Sequence, residues 1–344
     1  MQNQNSKDLK YVMLLGYGWS GSGAIVDLLR EFDGYFAMDR CEFRLLRDPY
    51  GVMNLENSLI DQWDPLVYDN SIRDFLWYAE TLDRTPGKFT REGGYYNSFY
   101  GPQFKEATEH FIDKITDYTY DCYWFFFDYK MSVLQNTVRK IKRKLNRKKF
   151  ESNMSKNMYF TTITREEFHE AVREYIDEVF SPIAEKKKAS TMVMDQAIPA
   201  QLPNKSADYF HNAKTIIVDR DPRDIYAELV RDEKLVGKDI KRTGDVMKFV
   251  KWHKAYRRGV EEYKKDPNIL YLQFEDIVQN YDENIARILE FLGEDASIHN
   301  EKLKKTLFDP SRSAKNIGIW RQYAKQEEMN VLYHELQDYC YQGI

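Results

Sequence analysis

The stretch YVMLLGYGWSGSGAIVDLL, residues 11–29, decides the fold. Its apolar beginning, residues 11–15, has the length of a buried strand, and the apolar residues from Ile25 to Leu29 recur on one helical face. Four glycines lie in the loop between these two segments. Glycine permits positive φ angles and a close approach to a ligand, and the amide groups that open a helix attract anions. The stretch therefore predicts a strand, a phosphate-binding loop and a helix.

The glycine spacing leaves the identity of the phosphate open. Gly16, Gly18 and Gly21 match the dinucleotide fingerprint, and Asp39 follows at the distance of a ribose-binding acid, so an NAD-type oxidoreductase stays an alternative. An ATP-type or GTP-type loop is disfavoured, because Ser22-Gly23 replaces the lysine and the magnesium-binding hydroxyl of that motif.

Composition describes a water-soluble globular protein. The 344 residues are 42% hydrophobic and 31% charged with a net charge of -4, which argues against nucleic acid as the partner. We predict one domain, 1–344, in the cytoplasm, because residues 1–10 are polar and no apolar run has the length of a membrane span. Three scattered cysteines and six isolated histidines argue against a disulfide framework and a metal site.

Residues 51–165 differ from the flanking sequence and predict a mainly helical, aromatic-rich insertion. Proline and glycine punctuate this segment, and most of its aromatic residues should form its core, while some should line an acceptor pocket. These aromatic residues are Tyr95, Tyr96, Phe99, Tyr100, Tyr118, Tyr120, Tyr123, Trp124, Phe125, Phe126, Phe127 and Tyr129.

The densest charge run of the chain, residues 139–149, predicts a basic amphipathic helix. Val138, Ile141 and Leu145 recur at helical spacing beneath eight lysines and arginines. A solvated face is the usual role of such a run, and an anionic glycan or a lipid surface is the alternative.

A second strong signal is KTIIVDRDPRDIYAE, residues 214–228, which predicts a buried strand, a charged turn and a helix begun by Pro222. Arg220 and Arg223 would then lie at the carboxyl end of a parallel sheet, beside a helix N-terminus, where an anion is stabilised. A network of Arg–Asp ion pairs is the alternative explanation of the same residues.

Four segments together resemble the sulfotransferase family. Residues 19–23 resemble its 5′-phosphosulfate loop, 219–224 its 3′-phosphate motif, 267–277 its following strand with Glu-Asp, and 311–321 its C-terminal basic loop ending in Gly-x-Trp. The segments occur in the family's order. The resemblance implies an α/β fold with a P-loop-like parallel sheet flanked by helices, leaving the insertion unexplained.

The resemblance also implies a chemistry. Sulfotransferases move a sulfuryl group from 3′-phosphoadenosine 5′-phosphosulfate to an acceptor such as a hydroxyl, without a metal. Glu42 would take the acceptor proton, as in the tyrosyl-protein branch of the family, and Asp195, which ends its own strand, is the competitor. The implied nucleotide-binding residues are Gly18, Trp19, Ser20, Gly21, Ser22, Gly23, Arg220, Arg312, Lys315 and Gly318.

Three positions depart from the family pattern. Trp19 stands where the family has a catalytic cation, Gly23 replaces a threonine, and Glu228 replaces a serine near the 3′-phosphate. An indole cannot stabilise developing negative charge as a cation does, so another basic residue must reach the loop, with Lys205 as one candidate. An inactive phosphonucleotide-binding protein therefore stays open. For the acceptor, the aromatic-rich insertion suits a hydroxyl on a flat apolar ring or on a sugar. The basic run 139–149 favours a carbohydrate or glycolipid over a sterol or phenol.

Overall fold

The computed structural model describes residues 9–38, 41–87, 91–122, 124, 126–129, 131–145, 156–232 and 246–343. The strands in these ranges are β1 (Lys10–Gly16), β2 (Tyr35–Ala37), β3 (Tyr118–Cys122), β4 (Lys156–Phe160), β5 (Thr191–Asp195), β6 (Ala213–Asp219) and β7 (Ile269–Gln273). The helices are α1 (Ser22–Leu29), α2 (Val52–Glu56), α3 (Pro65–Asp83), α4 (Tyr96–Tyr100), α5 (Gln103–Ile115), α6 (Phe126–Tyr129), α7 (Val133–Leu145), α8 (Arg165–Lys187), α9 (Lys205–Tyr209), α10 (Pro222–Asp232), α11 (Val246–Tyr256), α12 (Val260–Tyr263), α13 (Phe274–Gln279), α14 (Tyr281–Leu292), α15 (Pro310–Ser313) and α16 (Gln326–Glu335).

The central sheet is parallel, with the strand order β2-β5-β1-β6-β7. Its strands are short apolar runs, as expected for a sheet that is covered on both faces. The register pairs Leu14 with Asp195 on one side and with Ile216 on the other. The carboxyl ends of β5, β1 and β6 therefore meet at one edge, where α/β proteins bind ligands.

Two hydrophobic layers cover the sheet. One layer combines α8 with the segment 51–165, and the other combines α1, α13 and α14. A third cluster joins α10, α11 and α16 beside the sheet. The predicted α/β class with a parallel sheet flanked by helices is confirmed.

The segment 51–165 is mainly helical in its described part and also contains the antiparallel pair β3–β4. Its buried residues, Phe75 and Phe111 among them, belong to the same cluster as Tyr11 of the central sheet. The division of the chain into one domain with an insertion stays a prediction. Among the described residues, no helix is both long and apolar enough to cross a bilayer.

Candidate active site

A cleft of about 860 Å³ opens at the carboxyl edge of the sheet, above the loop that joins β1 to α1. Loop residues 16–23 form its floor, and Asp195 and Gln196 follow directly from β5. The segment after β2 contributes Glu42, Arg44 and Arg47 to a further wall, and α11 contributes Trp252 and Tyr256. The structure therefore brings the predicted loop and both predicted carboxylates, Glu42 and Asp195, into one cleft.

The loop has the backbone that its glycines predict. Gly18 and Gly21 have φ angles of 84° and 85°, and a Cβ at Gly21 would lie 2.4 Å from the Phe274 ring. No side chain caps the N-terminus of α1, and its first turn holds no acidic residue, so its amide groups remain able to attract an anion. The buried Ser20 Oγ has no hydrogen-bond partner in the described chain. These features fit a site for a phosphate or sulfate group.

Trp19 occupies the position of the expected cation and makes apolar contacts instead. Its side chain packs against the third hydrophobic cluster, and its backbone adopts a φ of 54°, which is unfavourable for a bulky residue. The loop itself therefore supplies no positive side chain.

Asp195 is a largely buried carboxylate at the end of β5. Burial raises its pKa to about 6, the negative charge of Glu42 adds to the rise, and the positive charge of Arg47 opposes it. Asp195 Oδ1 has no hydrogen-bond partner among the described residues. A carboxyl group with a pKa near neutrality and a free oxygen is suited to accept a proton.

Glu42 lies on the same cleft in a more exposed position. Its side chain is 40% exposed and 3.9 Å from Arg44. Tyr96 of the insertion holds this turn, since its hydroxyl donates to the Glu42 carbonyl at 3.0 Å and accepts from the Arg44 amide at 2.7 Å. Its ring also stacks on Phe43, with 5.7 Å between the centroids. The predicted core role holds for Tyr96 and Tyr100, but other aromatic residues of the insertion are exposed, namely Tyr95, Phe99, Tyr118 and Tyr129.

Arg47 is the residue that sequence reasoning missed. Its Nη1 donates to the Gln196 carbonyl at 2.9 Å and contacts Gln196 Oε1 at 3.4 Å, while Gln196 Nε2 donates to Ser22 Oγ at 3.0 Å. Arg44, by contrast, is held by two bonds to Asp48, at 2.9 and 3.0 Å. Within the described chain, Arg47 makes no ion pair within 4.0 Å, so its charge remains available to the cleft. No motif marks this arginine, because its position depends on the neighbouring strand β5.

Arg220 lies on the other side of the loop and does not line the cleft. This buried guanidinium pairs with Glu228 at 2.6 Å and donates to the carbonyls of Asn316 at 2.7 Å and Trp19 at 3.2 Å. Glu228, which stands where the family has a serine, is thus the ion-pair partner of Arg220. Arg220 Nε has no hydrogen-bond partner among the described residues. The arrangement matches the ion-pair alternative and leaves the 3′-phosphate role a prediction.

The charged segment after β6 and the C-terminal loop 311–321 contact each other directly. The Asp224 carboxylate accepts from the amides of Gly318 at 2.7 Å and Trp320 at 3.0 Å. The Arg223 guanidinium lies over the Trp320 ring, 4.2 Å from its centroid, and pairs with Asp221 at 2.5 Å. The charged turn after β6 therefore holds the C-terminal loop by direct hydrogen bonds and stacking.

Arg312 and Lys315 are on this C-terminal loop, but both side chains are exposed and outside the cleft. Arg312 donates to the Leu307 carbonyl at 2.8 Å. The structure brings their loop against Arg220 through Asn316 without bringing either side chain to the glycine loop.

Lys205 cannot serve the loop in this arrangement. Its Nζ pairs with Glu56 at 2.7 Å and with Asp208 at 3.1 Å. Burial alone would raise the pKa of Glu56, but hydrogen bonds from Lys205, Tyr209 and His169 outweigh it and bring the pKa to about 2. The ammonium group is therefore committed to a structural cluster.

A smaller cavity of about 270 Å³ adjoins the cleft and shares Gly23, Glu42 and Asp195 with it. Met38 and Cys41 add an apolar wall. The two cavities thus meet at the two carboxylates.

Some predicted features fall outside the description. Asp39, Tyr123 and Phe125 lie outside the described residues, as do residues 146–149 of the basic run. In the part of the chain that is described, no group of His, Cys, Asp and Glu residues has the arrangement of a metal site.

The family model for the sulfotransferase domain matches residues 132–318, slightly more than half of the chain. The chain therefore belongs to the sulfotransferase family, which confirms the resemblance seen in the sequence and supports sulfotransferase activity. No curated protein matches the chain significantly.

Several solved structures are similar over most of the chain. The sulfotransferase domain of a Synechococcus olefin synthase has 12% identity and a TM-score of 0.40, covering 96% of this chain and 94% of that one. A Mycobacterium avium sulfotransferase has 12% identity and a TM-score of 0.38, with coverages of 96% and 76%. A retinol dehydratase in complex with androsterone and the inactive cofactor PAP has 17% identity and a TM-score of 0.34, with coverages of 95% and 80%.

Proposed function

We propose that this protein transfers a sulfuryl group from 3′-phosphoadenosine 5′-phosphosulfate to a hydroxyl acceptor. The observation that carries the proposal is the cleft itself, where a glycine loop meets Asp195 and Arg47. Among the described residues, Asp195 Oδ1 has no hydrogen-bond partner and Arg47 forms no ion pair. The family supplies the reaction class, and these residues supply the groups that the reaction needs.

The loop is suited to the 5′ end of the donor. Among the described residues, the buried Ser20 Oγ has no hydrogen-bond partner, and Ser22 Oγ lies at the start of α1. Gly21 packs so closely against Phe274 that a side chain would not fit there. The donor brings the activated sulfuryl group when it binds. Arg220 is the proposed 3′-phosphate ligand, with Nε as its free donor, and Gly318, Arg312 and Lys315 lie on the adjoining C-terminal loop.

Asp195 is our proposed base, which reverses the preference for Glu42 that the sequence favoured. Its free oxygen and its pKa of about 6 support this choice, because a general base must be unprotonated at the working pH and have a pKa close to that pH. In the step, the acceptor oxygen forms a bond to sulfur, the bond between sulfur and the phosphate oxygen breaks, and Asp195 takes the hydroxyl proton. Glu42 raises the basicity of Asp195 through its charge.

Arg47 is our proposed replacement for the loop cation. The guanidinium lines the cleft with no carboxylate bound to it, and Gln196 links it to Ser22 at the phosphate end of the site. A fixed positive charge stabilises the negative charge that develops on the leaving phosphate, and this effect is large where water is excluded.

We propose that the acceptor enters through the 270 Å³ cavity, because this cavity adjoins the nucleotide cleft and is lined by both carboxylates. Its size suits one sugar or one flat ring. We keep the sequence-based preference for a carbohydrate or glycolipid over a sterol or phenol, and a cytoplasmic location remains a prediction.

Thermal-shift measurements with adenosine 3′,5′-bisphosphate, NAD and ATP test the nucleotide assignment, because a ligand that binds the native state raises its stability. Stabilisation by the bisphosphate alone is expected, and stabilisation by NAD alone would favour the oxidoreductase alternative. Transfer of radiolabelled sulfuryl groups to a panel of glycans, glycolipids, sterols and phenols then tests catalysis. Tight bisphosphate binding without transfer to any acceptor would support the inactive binder, which the Trp19 substitution and the Arg220–Glu228 pair favour.

A further inference from the structure

Helix α7 presents an apolar stripe to solvent. Leu134, Val138, Ile141 and Leu145 recur at spacings of four, three and four residues, which places them on one helical face. Their exposed fractions are 75%, 44%, 53% and 80%. Among the described elements none packs extensively against α7, and the ion pair between Arg139 and Asp128 attaches the helix to the neighbouring α6. A contiguous apolar face of this kind marks an interaction surface.

The same helix is strongly basic. Residues 133–145 contain five lysines and arginines and no aspartate or glutamate, although the whole chain has a net charge of -4. Lys140 and Lys144 are exposed, and helical spacing places both beside the apolar stripe. The surface therefore combines an apolar stripe with flanking positive charge.

We propose that α7 binds the surface of an anionic lipid bilayer. A helix that lies in the membrane interface buries its apolar face at the level of the acyl chains while its lysines contact anionic headgroups. A nucleic acid or a sulfated glycan would neutralise the charge but leave the apolar stripe in water. A second copy of the chain would cover the stripe but bring two strongly positive helices together, which charge repulsion opposes.

Vesicle co-sedimentation of the full-length protein tests this assignment. We expect binding to vesicles of phosphatidylcholine mixed with phosphatidylserine, weaker binding to phosphatidylcholine alone, and weaker binding at high salt. The variant Leu134→Gln/Ile141→Gln should lower the partition coefficient by about tenfold or more, because two apolar side chains no longer enter the interface. Glutamine is a good helix former, so the helix is retained, and circular dichroism and the melting temperature check this.

Two further variants separate the contributions. Lys140→Gln/Lys144→Gln should weaken binding to the anionic vesicles and reduce its salt dependence, leaving binding to phosphatidylcholine unchanged. The triple variant Lys302→Gln/Leu303→Gln/Lys304→Gln removes two exposed lysines and an exposed leucine elsewhere on the surface and should bind like wild type.

The proposal is overturned if Leu134→Gln/Ile141→Gln binds anionic vesicles as tightly as wild type, since charge alone would then explain the binding. It is also overturned if the control triple variant loses binding equally, or if the wild-type chain is a dimer by light scattering that Leu134→Gln/Ile141→Gln dissociates while no form binds vesicles. Because none of these substitutions lies in the cleft, nucleotide binding should be the same in every variant, and failure here would leave the proposed sulfuryl transfer untouched.

Discussion

Replacing Arg47 with glutamine should slow sulfuryl transfer while leaving nucleotide binding close to wild type. Arg47 is the cleft cation without a bound carboxylate among the described residues, and its contacts are with the carbonyl and side chain of Gln196. Removing one group that stabilises charge in a transition state slows catalysis by about 100- to 1,000-fold. We expect a loss in this range in the turnover number, because the developing charge on the leaving group exists only in the transition state.

The substitution should also change the pH dependence. The positive charge of Arg47 lowers the pKa of Asp195, so its removal raises that pKa further above about 6. Asp195 must be unprotonated to accept a proton, and the acidic limb of the rate profile should therefore move to higher pH in Arg47→Gln. Glu42→Gln should move the same limb to lower pH, because the charge of Glu42 raises the pKa of Asp195.

Single-turnover rates with radiolabelled donor, measured from pH 5 to pH 9, provide the assay, and calorimetry gives the affinity for adenosine 3′,5′-bisphosphate. Arg44→Gln is the matched control: Asp48 holds this neighbouring guanidinium by two bonds, and its loss should cost less than about fivefold in rate. The reasoning fails if Arg44→Gln is as slow as Arg47→Gln. It also fails if Glu42→Gln abolishes turnover while Asp195→Asn does not, because Glu42 would then be the base.

The remaining predictions concern the loop, the buried acid and the 3′-phosphate. Gly21→Ala should abolish bisphosphate binding and lower the melting temperature, because Gly21 has a positive φ and a Cβ there would clash with Phe274. Gly23→Ala should keep the wild-type affinity and melting temperature, because Gly23 is helical and has open space around it. Asp195→Asn should raise the free energy of unfolding in urea above pH 6 by up to about 3 kcal/mol. The pKa of Asp195 is higher in the folded than in the unfolded protein, so the stability of the wild type falls as the pH rises from about 4 to 6. A wild-type urea midpoint that stays constant over this pH range would contradict the prediction. Arg220→Ala should weaken adenosine 3′,5′-bisphosphate by about 1.5–3 kcal/mol and adenosine 5′-phosphate much less, and equal losses in calorimetry would leave Arg220 a structural brace.

The sequence predicted the central strand, the loop and α1 because local patterns specify them. Short apolar runs, glycine positions and helical spacing all act within about 20 residues. Glu42 and Asp195, predicted only as competing bases, lie in one cleft because they come after β2 and at the end of β5, and these paired parallel strands end at one edge. The fold class and the family could therefore be predicted without knowledge of other contacts between distant segments.

Arg47 and Arg220 could not be assigned in this way. Arg47 contacts Gln196, which is close because β2, the strand before Arg47, pairs with β5. Arg220 was a reasonable anion ligand by motif, but sequence cannot tell whether Glu228 repels the ligand or pairs with the arginine. Both outcomes depend on side-chain geometry between segments far apart in the chain.

Our proposal assigns the catalytic positive charge to Arg47 and not to a residue of the glycine loop. One side chain would then affect both the stabilisation of the leaving group and the pKa of Asp195. In the proposed mechanism, the charge on Arg47 stabilises the leaving group, and the same charge lowers the pKa of Asp195, the proposed base. Glu42 acts on Asp195 in the opposite direction. The rate near neutral pH therefore depends on a balance among these three side chains. Burial of Asp195 provides the rise in pKa that keeps it basic beside a cation, which explains why the carboxylate lies inside the cleft and not at its rim.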